Sequence, residues 1–142
     1  MNSKNIMTVM AVVTGLVGLA SIILSTQITT TIFPTVGEEA IIVGVWHRQV
    51  LGAAILVLSI YFWFMRDAEE VVAKRFLFAS GLCFSVNALV LIKASVIDGV
   101  TALPIPSFSI LVIFGIASFY VSTKKTAKDE LIAEIKEQIS DK

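Results

Sequence analysis

Residues 6–24 read IMTVMAVVTGLVGLASIIL, a run of 19 residues without a formal charge. At 1.5 Å of rise per residue, about 20 apolar residues cross the roughly 30 Å hydrocarbon core of a bilayer. The run therefore predicts a membrane-spanning helix. It is also longer than the apolar core of a signal peptide, which has about 7 to 15 residues, so we expect it to be retained.

The composition of the whole chain agrees with a membrane protein. Of 142 residues, 56% are apolar and 15% are charged, whereas soluble domains have about 45–50% and about 25%. Eleven basic residues balance eleven acidic ones, which gives no electrostatic signature of nucleic-acid binding. One Cys and one His are too few for a disulfide framework, a zinc site or an iron–sulfur cluster, so no metal or cofactor is predicted.

Three further apolar segments follow the first one. We place the four helices at about residues 6–25, 41–65, 76–97 and 107–122. The polar run after Ser25 is expected to be an extramembrane loop, because Pro34 and Gly37 follow it. The predicted fold class is all-α, an integral membrane bundle of four transmembrane helices in residues 1–123, followed by an amphipathic cytoplasmic helix.

That last helix is the charged tail, residues 124–142. The tail contains five Lys and five acidic residues, and its apolar residues recur at helical spacing at Leu131, Ile132, Ile135 and Ile139. A solvated helical tail is one interpretation of this narrow stripe. The other is a helix that docks on a partner or on the membrane surface.

Basic residues near the helix ends predict the orientation in the membrane. Seven would lie on one side and two on the other, the seven being Lys4, Arg66, Lys74, Arg75, Lys124, Lys125 and Lys128 and the two being Arg48 and Lys93. Basic residues favour the cytoplasmic side, so both termini are predicted to be cytoplasmic, in a membrane that we take to be the prokaryotic cytoplasmic membrane. The connection at residues 66–75 is short, so the second and third helices are expected to pack as antiparallel neighbours.

Small residues recur every three or four positions in the spans and predict where helices approach closely. They are Ala11, Gly15 and Gly18 in the first helix, Gly52 in the second and Gly81 in the third. Such stripes are usually packing seams within a bundle. The first helix carries small residues on more than one side, which we interpret as a face available to another subunit or to a second copy.

A group of polar residues predicts a binding site near the outer leaflet. Its members lie on the second and third helices and just after them: His47, Arg48, Gln49, Asn87, Lys93 and Asp98. If the helices bring them together, they could receive an anionic head group or the carbonyl of a lipid or quinone. In the alternative, Arg48 and Lys93 only mark the outer interface and extend into water.

Two side chains of the third helix, Cys83 and the Asn87 already named, are also given structural roles. We expect Asn87 to hydrogen-bond a neighbouring helix and Cys83 to be a small buried residue. Nucleophilic triads, phosphate-binding loops and paired catalytic carboxylates are not found, so no catalytic residues are predicted.

Several features, taken in order along the chain, resemble the small four-helix membrane proteins related to the DoxX-like group, including an uncharacterised branch. They are Phe33-Pro34 in the first loop, Arg48 four residues before Gly52, and Lys93 followed by Ser95 and Asp98-Gly99. The resemblance covers residues 6–122, although the last helix lacks the acidic residue expected near its start. Some DoxX-like proteins resemble subunits of quinone-linked membrane oxidoreductases, whereas much of the group has no assigned activity, so the resemblance implies the fold more than the function.

Three functions follow as hypotheses. The first is a non-catalytic accessory or assembly subunit of a larger membrane complex, of which an oxidoreductase-type complex is one kind. The second is a lipid- or quinone-binding protein that uses the outer polar residues, and the third is a small oligomeric transporter. The expected partners are membrane lipids and other membrane subunits or a second copy, without nucleic acid.

Overall fold

A computed structural model describes residues 2–99 and 103–124. All regular secondary structure in this part of the chain is helical. The helices are α1 (Ser3–Ile23), α2 (Ser25–Ile32), α3 (Glu38–Met65), α4 (Glu70–Ile92), which continues as a π-helical segment (Lys93–Ile97), and α5 (Ile105–Thr123). Four of them, α1, α3, α4 with its extension and α5, are long and apolar enough to cross a membrane. The docking residues predicted in the tail, Leu131, Ile132, Ile135 and Ile139, lie outside the described residues.

The helix starts have local causes. The Asn2 side chain caps α1 by accepting a hydrogen bond from the Lys4 backbone N–H at 3.0 Å. The helix therefore begins at Ser3, three residues before the predicted start at residue 6. Glu38 and Glu39 occupy the first turn of α3, where negative charge is favourable beside the helix dipole. Pro106 lies in the first turn of α5, where its missing N–H costs no helical hydrogen bond.

The polar run after Ser25 is helical, so the predicted loop after Ser25 is a wrong interpretation. The backbone leaves helical geometry at Leu24, with φ −100° and ψ 20°, yet the N–H of Ile28 donates to the Leu24 carbonyl at 2.9 Å and the chain is helical to Ile32. The Thr29 hydroxyl donates to the Ser25 carbonyl at 2.7 Å. Threonines therefore satisfy their hydroxyls within the helix, and packing against α3 overrides their low helix propensity.

The long helices associate as two antiparallel pairs, α1 with α3 and α4 with α5. The predicted close packing of the second and third helices is not observed, since α3 and α4 share no extended backbone contact among the described residues. They meet through the Phe62 ring, whose centroid lies 5.5 Å from that of Phe76 and 6.2 Å from that of Phe84. A short connection brings two helix ends together, but bulky side chains keep these two backbones apart.

The four long helices share one apolar core, which we call the basal core. Its largest fully buried apolar side chains come from all four helices: Met7, Met10, Phe62, Leu77 and Val121. Phe84 and Phe114 extend it between α4 and α5, with ring centroids 5.7 Å apart. The core lies towards one end of the bundle, the basic end, formed by the start of α1, residues 66–69 and the end of α5.

Towards the opposite end, the distal end, α1 and α2 pack against α3 along a contact that we call the seam. Its buried residues are small or polar and are Gly18, Ser21, Ser25, Thr29 and Gly52. A Cβ atom on Gly18 would lie 2.9 Å from the Gly52 carbonyl oxygen, and one on Gly52 would lie 2.8 Å from the Gly18 carbonyl oxygen. The two backbones therefore touch at this crossing, which only glycine allows.

The seam continues towards the basal core through polar contacts between helices. The Ser59 hydroxyl of α3 donates to the Ala11 carbonyl of α1 at 2.7 Å and leaves little room beside Gly15. On the other helix pair, Gly81 of α4 packs against the Phe119 ring of α5. The small-residue face of the first helix, which we interpreted as available to another subunit, is thus covered by α3 of the same chain.

Candidate functional site

Arg48 and Gln49, two polar residues in the first half of α3, face α2. The Arg48 Nε lies 3.4 Å from the Thr29 hydroxyl oxygen, and the Gln49 amide donates to the Ser25 hydroxyl at 3.3 Å. Ser25 and Thr29 are one turn apart on α2, so together they present two hydroxyls to two successive residues of α3. A loop at residues 25–32 would not make this contact, although the four-residue spacing of Ser25 and Thr29 in the sequence is a signal for it.

Lys93 and Asp98 form a separate pair at the distal end. The Lys93 Nζ lies 2.5 Å from an Asp98 carboxylate oxygen, across the π-helical segment that ends α4. The Lys93 side chain is 63% exposed. Its exposure and its local partner agree with the interpretation in which Lys93 marks the outer interface.

His47 and Asn87 lie on the outside of the described bundle. The His47 ring packs edge-on against Trp46, with centroids 5.3 Å apart. The Asn87 side chain donates to the Cys83 carbonyl of its own helix at 2.9 Å and reaches no neighbouring helix of the described chain. Cys83 is also exposed, which corrects its predicted burial, because α4 packs on α5 through Gly81 and Phe84 instead.

The six predicted site residues therefore do not form one cluster. Among the described residues, no hydrogen bond or ion pair joins the group on α3 to Asn87 or to the Lys93–Asp98 pair. Part of the reason is local, since successive residues of a helix point about 100° apart and residues 47–49 cannot face one ligand. The rest is tertiary, because α3 turns this region towards α2 and away from α4.

A cavity of about 600 Å³ lies at the basic end. It is partly open to the outside and is bounded by the start of α1, the connection between α3 and α4, the start of α4 and the end of α5. Six of its lining residues are charged: Lys4, Arg66, Asp67, Glu70, Lys74 and Lys124. In the sequence, most of these residues served only to predict orientation, and nothing in their spacing indicated that they surround one cavity.

Ion pairs organise the cavity wall. The Lys4 Nζ lies 2.7 Å and the Arg66 Nε 3.2 Å from the two Asp67 carboxylate oxygens, and Lys74 lies 3.2 Å from Glu70. The hydrogen bond from Lys4, followed by that from Arg66, holds the pKa of Asp67 below its usual range. Asp67, ionised at neutral pH like any free carboxyl, therefore stays charged beside both cations in more acidic solution as well.

The Arg66 side chain also makes contact with the aromatic surface of the basic end. Its guanidinium carbon lies 3.5 Å above the ring centroid of Trp63, whose side chain is exposed. Tryptophan next to a basic residue at the end of an apolar span is typical of the membrane–water interface. The cavity thus lies at the depth expected for lipid head groups if the spans cross a bilayer.

The described residues contain no group of three or more His, Cys, Asp or Glu side chains placed to hold a metal ion. No protein-family model, no curated protein and no solved structure matches the chain.

Proposed function

We propose that this protein is a non-catalytic accessory or assembly subunit of a larger membrane protein complex. The observation that carries the proposal is the position of Asn87, a polar residue exposed on the outside of an apolar span. Its natural environment in an assembled complex is a contact with another helix.

Asn87 lies deep in its span. Residues 76–92 of α4 carry no charge, and Asn87 comes six residues before Lys93, about 9 Å along the helix axis. Its amide makes a single hydrogen bond with a described residue, the one it donates to Cys83. The carbonyl oxygen and the second N–H would be left without partners in hydrocarbon, which is costly, and a neighbouring helix can supply them.

The surface around Asn87 suits such a contact. Cys83 lies one turn before it and Val90 about one turn after it, and all three are exposed on α4. We call this surface the α4 outer face. It takes the place of the small-residue face of α1 in the assembly hypothesis, because α3 already occupies that face.

The proposal includes an orientation in the membrane. Lys4, Arg66, Lys74 and Lys124 line the same cavity, which supports a common side for the N-terminus, the α3–α4 connection and the end of α5. By the preference of basic residues for the cytoplasm, that side is the cytoplasmic one. The DoxX-like resemblance points to quinone-linked oxidoreductases as the first complexes to search.

The lipid- or quinone-binding alternative required the outer polar residues to converge. Arg48 and Gln49 each make a hydrogen bond to α2, and Lys93 pairs with Asp98, so the described residues do not bring the outer polar side chains into one pocket. In a small oligomeric transporter the path would have to lie between copies, because Met7, Phe62 and Leu77 fill the basal core of each one.

Cys83 is the only cysteine of the chain, so it tests the proposal without an engineered probe. A thiol-reactive crosslinker in native membranes is expected to join Cys83 to a second polypeptide, and native mass spectrometry from mild detergent is expected to show a species above the monomer mass. Asn87→Leu should weaken that association about 3- to 20-fold, the range expected for losing a polar contact between membrane helices.

Val86→Leu is the matched control, because Val86 is exposed one residue earlier but about 100° round the helix. It should associate as the unchanged protein does, and both variants should keep the melting midpoint of the monomer. A monomer without crosslinked partner, or equal association of the Asn87→Leu variant, would refute the assembly role.

A further inference from the structure

We infer that the cavity at the basic end binds a phosphate group, as carried by the head group of an anionic phospholipid. This goes beyond the proposed assembly role and does not depend on it. The volume of about 600 Å³ falls within the range of about 300–1,000 Å³ that is typical of small-molecule sites.

The charge of the cavity favours an anion. Among the described residues, four cations and two carboxylates line it, an excess of two positive charges in this part of the wall. Asp67 holds Lys4 and Arg66 at the wall through one oxygen each, so the cations are positioned before any ligand arrives. Guanidinium groups suit phosphate because their N–H groups match two of its oxygens, and the two terminal nitrogens of Arg66 donate to no described residue.

The start of α1 adds neutral donors to the same cavity. Asn2 and Ser3 line it, and the first turn of α1 contains no acidic residue that would compensate the positive end of the helix dipole. Ser3 is only 8% exposed, yet its hydroxyl makes no hydrogen bond with a described residue. The hydroxyl of this largely buried residue keeps access to the cavity, where it can donate to an acceptor oxygen of a ligand.

The position of the cavity indicates where that phosphate comes from. It opens where all four apolar spans end, beside the stacked Trp63 and Arg66. A head group at this depth would place its phosphate among the cations while its acyl chains lie along the exposed apolar surface of α3 or α5. An anionic head group is favoured over a zwitterionic one, since the excess positive charge gains nothing from a choline.

The test is native mass spectrometry of the full chain, released from nanodiscs of equimolar phosphatidylcholine and phosphatidylglycerol. The protein is expected to retain phosphatidylglycerol in preference to phosphatidylcholine. Arg66→Gln should weaken that retention about tenfold, because it removes a charge-assisted hydrogen bond, and Ser3→Ala about threefold, because it removes a neutral donor.

Arg75→Gln is the matched control, since Arg75 is an exposed cation at the same end of α4 that does not line the cavity. It should retain the lipid as the unchanged protein does, and the three variants should share one melting midpoint in lipid-free detergent. If Arg66→Gln and Arg75→Gln lower the retention of phosphatidylglycerol equally, the effect is one of general surface charge and the proposed site is overturned.

A second experiment distinguishes a lipid head group from free phosphate as the ligand. It compares the melting midpoint of the protein in inorganic phosphate and in chloride at matched ionic strength. A rise of the melting midpoint that Arg66→Gln abolishes, without selective lipid retention, would keep the phosphate site and overturn its assignment to a lipid. No selective retention and no response to phosphate would overturn the inference entirely, and either result leaves the Asn87 test of the assembly role untouched.

Discussion

The seam and the basal core hold helices together in opposite ways. Along the seam, α1 and α3 approach until the carbonyl oxygens of Gly18 and Gly52 face the opposing glycine, and hydroxyl groups satisfy the remaining polar contacts. In the basal core, large side chains such as Met7, Phe62 and Leu77 fill the space between all four long helices. In the first region backbone meets backbone, with Leu56 and Ile22 packed beside the glycines, whereas the second is filled by side chains alone.

The contrast shows how helices associate when the surrounding solvent is apolar as well. Lipid removes most of the hydrophobic drive between helices, so packing and hydrogen bonds must stabilise the bundle. Glycines achieve this by allowing backbone contact over one pair of helices. Aromatic and Met side chains achieve it between the two helix pairs, whose backbones approach each other at few points. Substitutions that add atoms to the seam should therefore lower the free energy of unfolding, and so should substitutions that remove atoms from the basal core.

Phe62→Ala is expected to have the largest effect. It empties the space between α1, α3 and α4 and removes the ring contacts with Phe76 and Phe84. We expect a loss of about 3 kcal/mol in the free energy of unfolding, the low end of the range for soluble proteins, because the unfolded chain in detergent is also in apolar surroundings. Thermal unfolding in mild detergent measures it, and a loss below that of the seam variants would break the comparison.

Gly52→Ala should come next, with a loss of about 2 kcal/mol from overpacking. The added methyl group meets the Gly18 backbone at 2.8 Å, which cannot move unless α1 and α3 separate. Gly81→Ala is the matched control, because there the methyl group meets the Phe119 ring at 3.0 Å and a side chain can turn aside. Equal losses at the two glycines, in the same unfolding assay, would show that backbone contact is not what makes the seam sensitive.

Ser59→Ala should have the smallest effect, about 0.6 kcal/mol, the average for a hydrogen bond between membrane helices. Ser59 donates across the seam to Ala11, whereas Ser85 donates to Gly81 within α4, at 2.9 Å. Ser85→Ala is therefore the control for loss of a hydroxyl alone. The difference between the two melting midpoints measures the interhelical bond, and a larger loss for Ser85→Ala would contradict its role in the seam.

The sequence by itself determined the number, the approximate limits and the apolar character of the spans. Length and hydropathy are properties of continuous segments, so residues 6–24 or 76–92 predict a helix without knowledge of their neighbours. The small-residue stripe of the first helix could be recognised in the sequence for a similar reason. Spacings of three and four place Gly15 and Gly18 on adjoining positions of one helix. The sequence did not show which helix packs against the stripe, and in the structure that helix is α3.

Only the tertiary structure decided which helices pair and which polar residues meet. A pattern within one helix carries no information about the direction in which another helix approaches. One interpretation of Arg48 therefore placed it beside residues of the third helix, whereas it lies beside Thr29 of α2. Lys4, Arg66, Lys74 and Lys124, spread over 121 residues of sequence, line one cavity without any shared motif. The helical state of residues 25–32 was also tertiary in origin, because packing against α3 stabilises a threonine-rich segment that local propensity alone assigns to a loop.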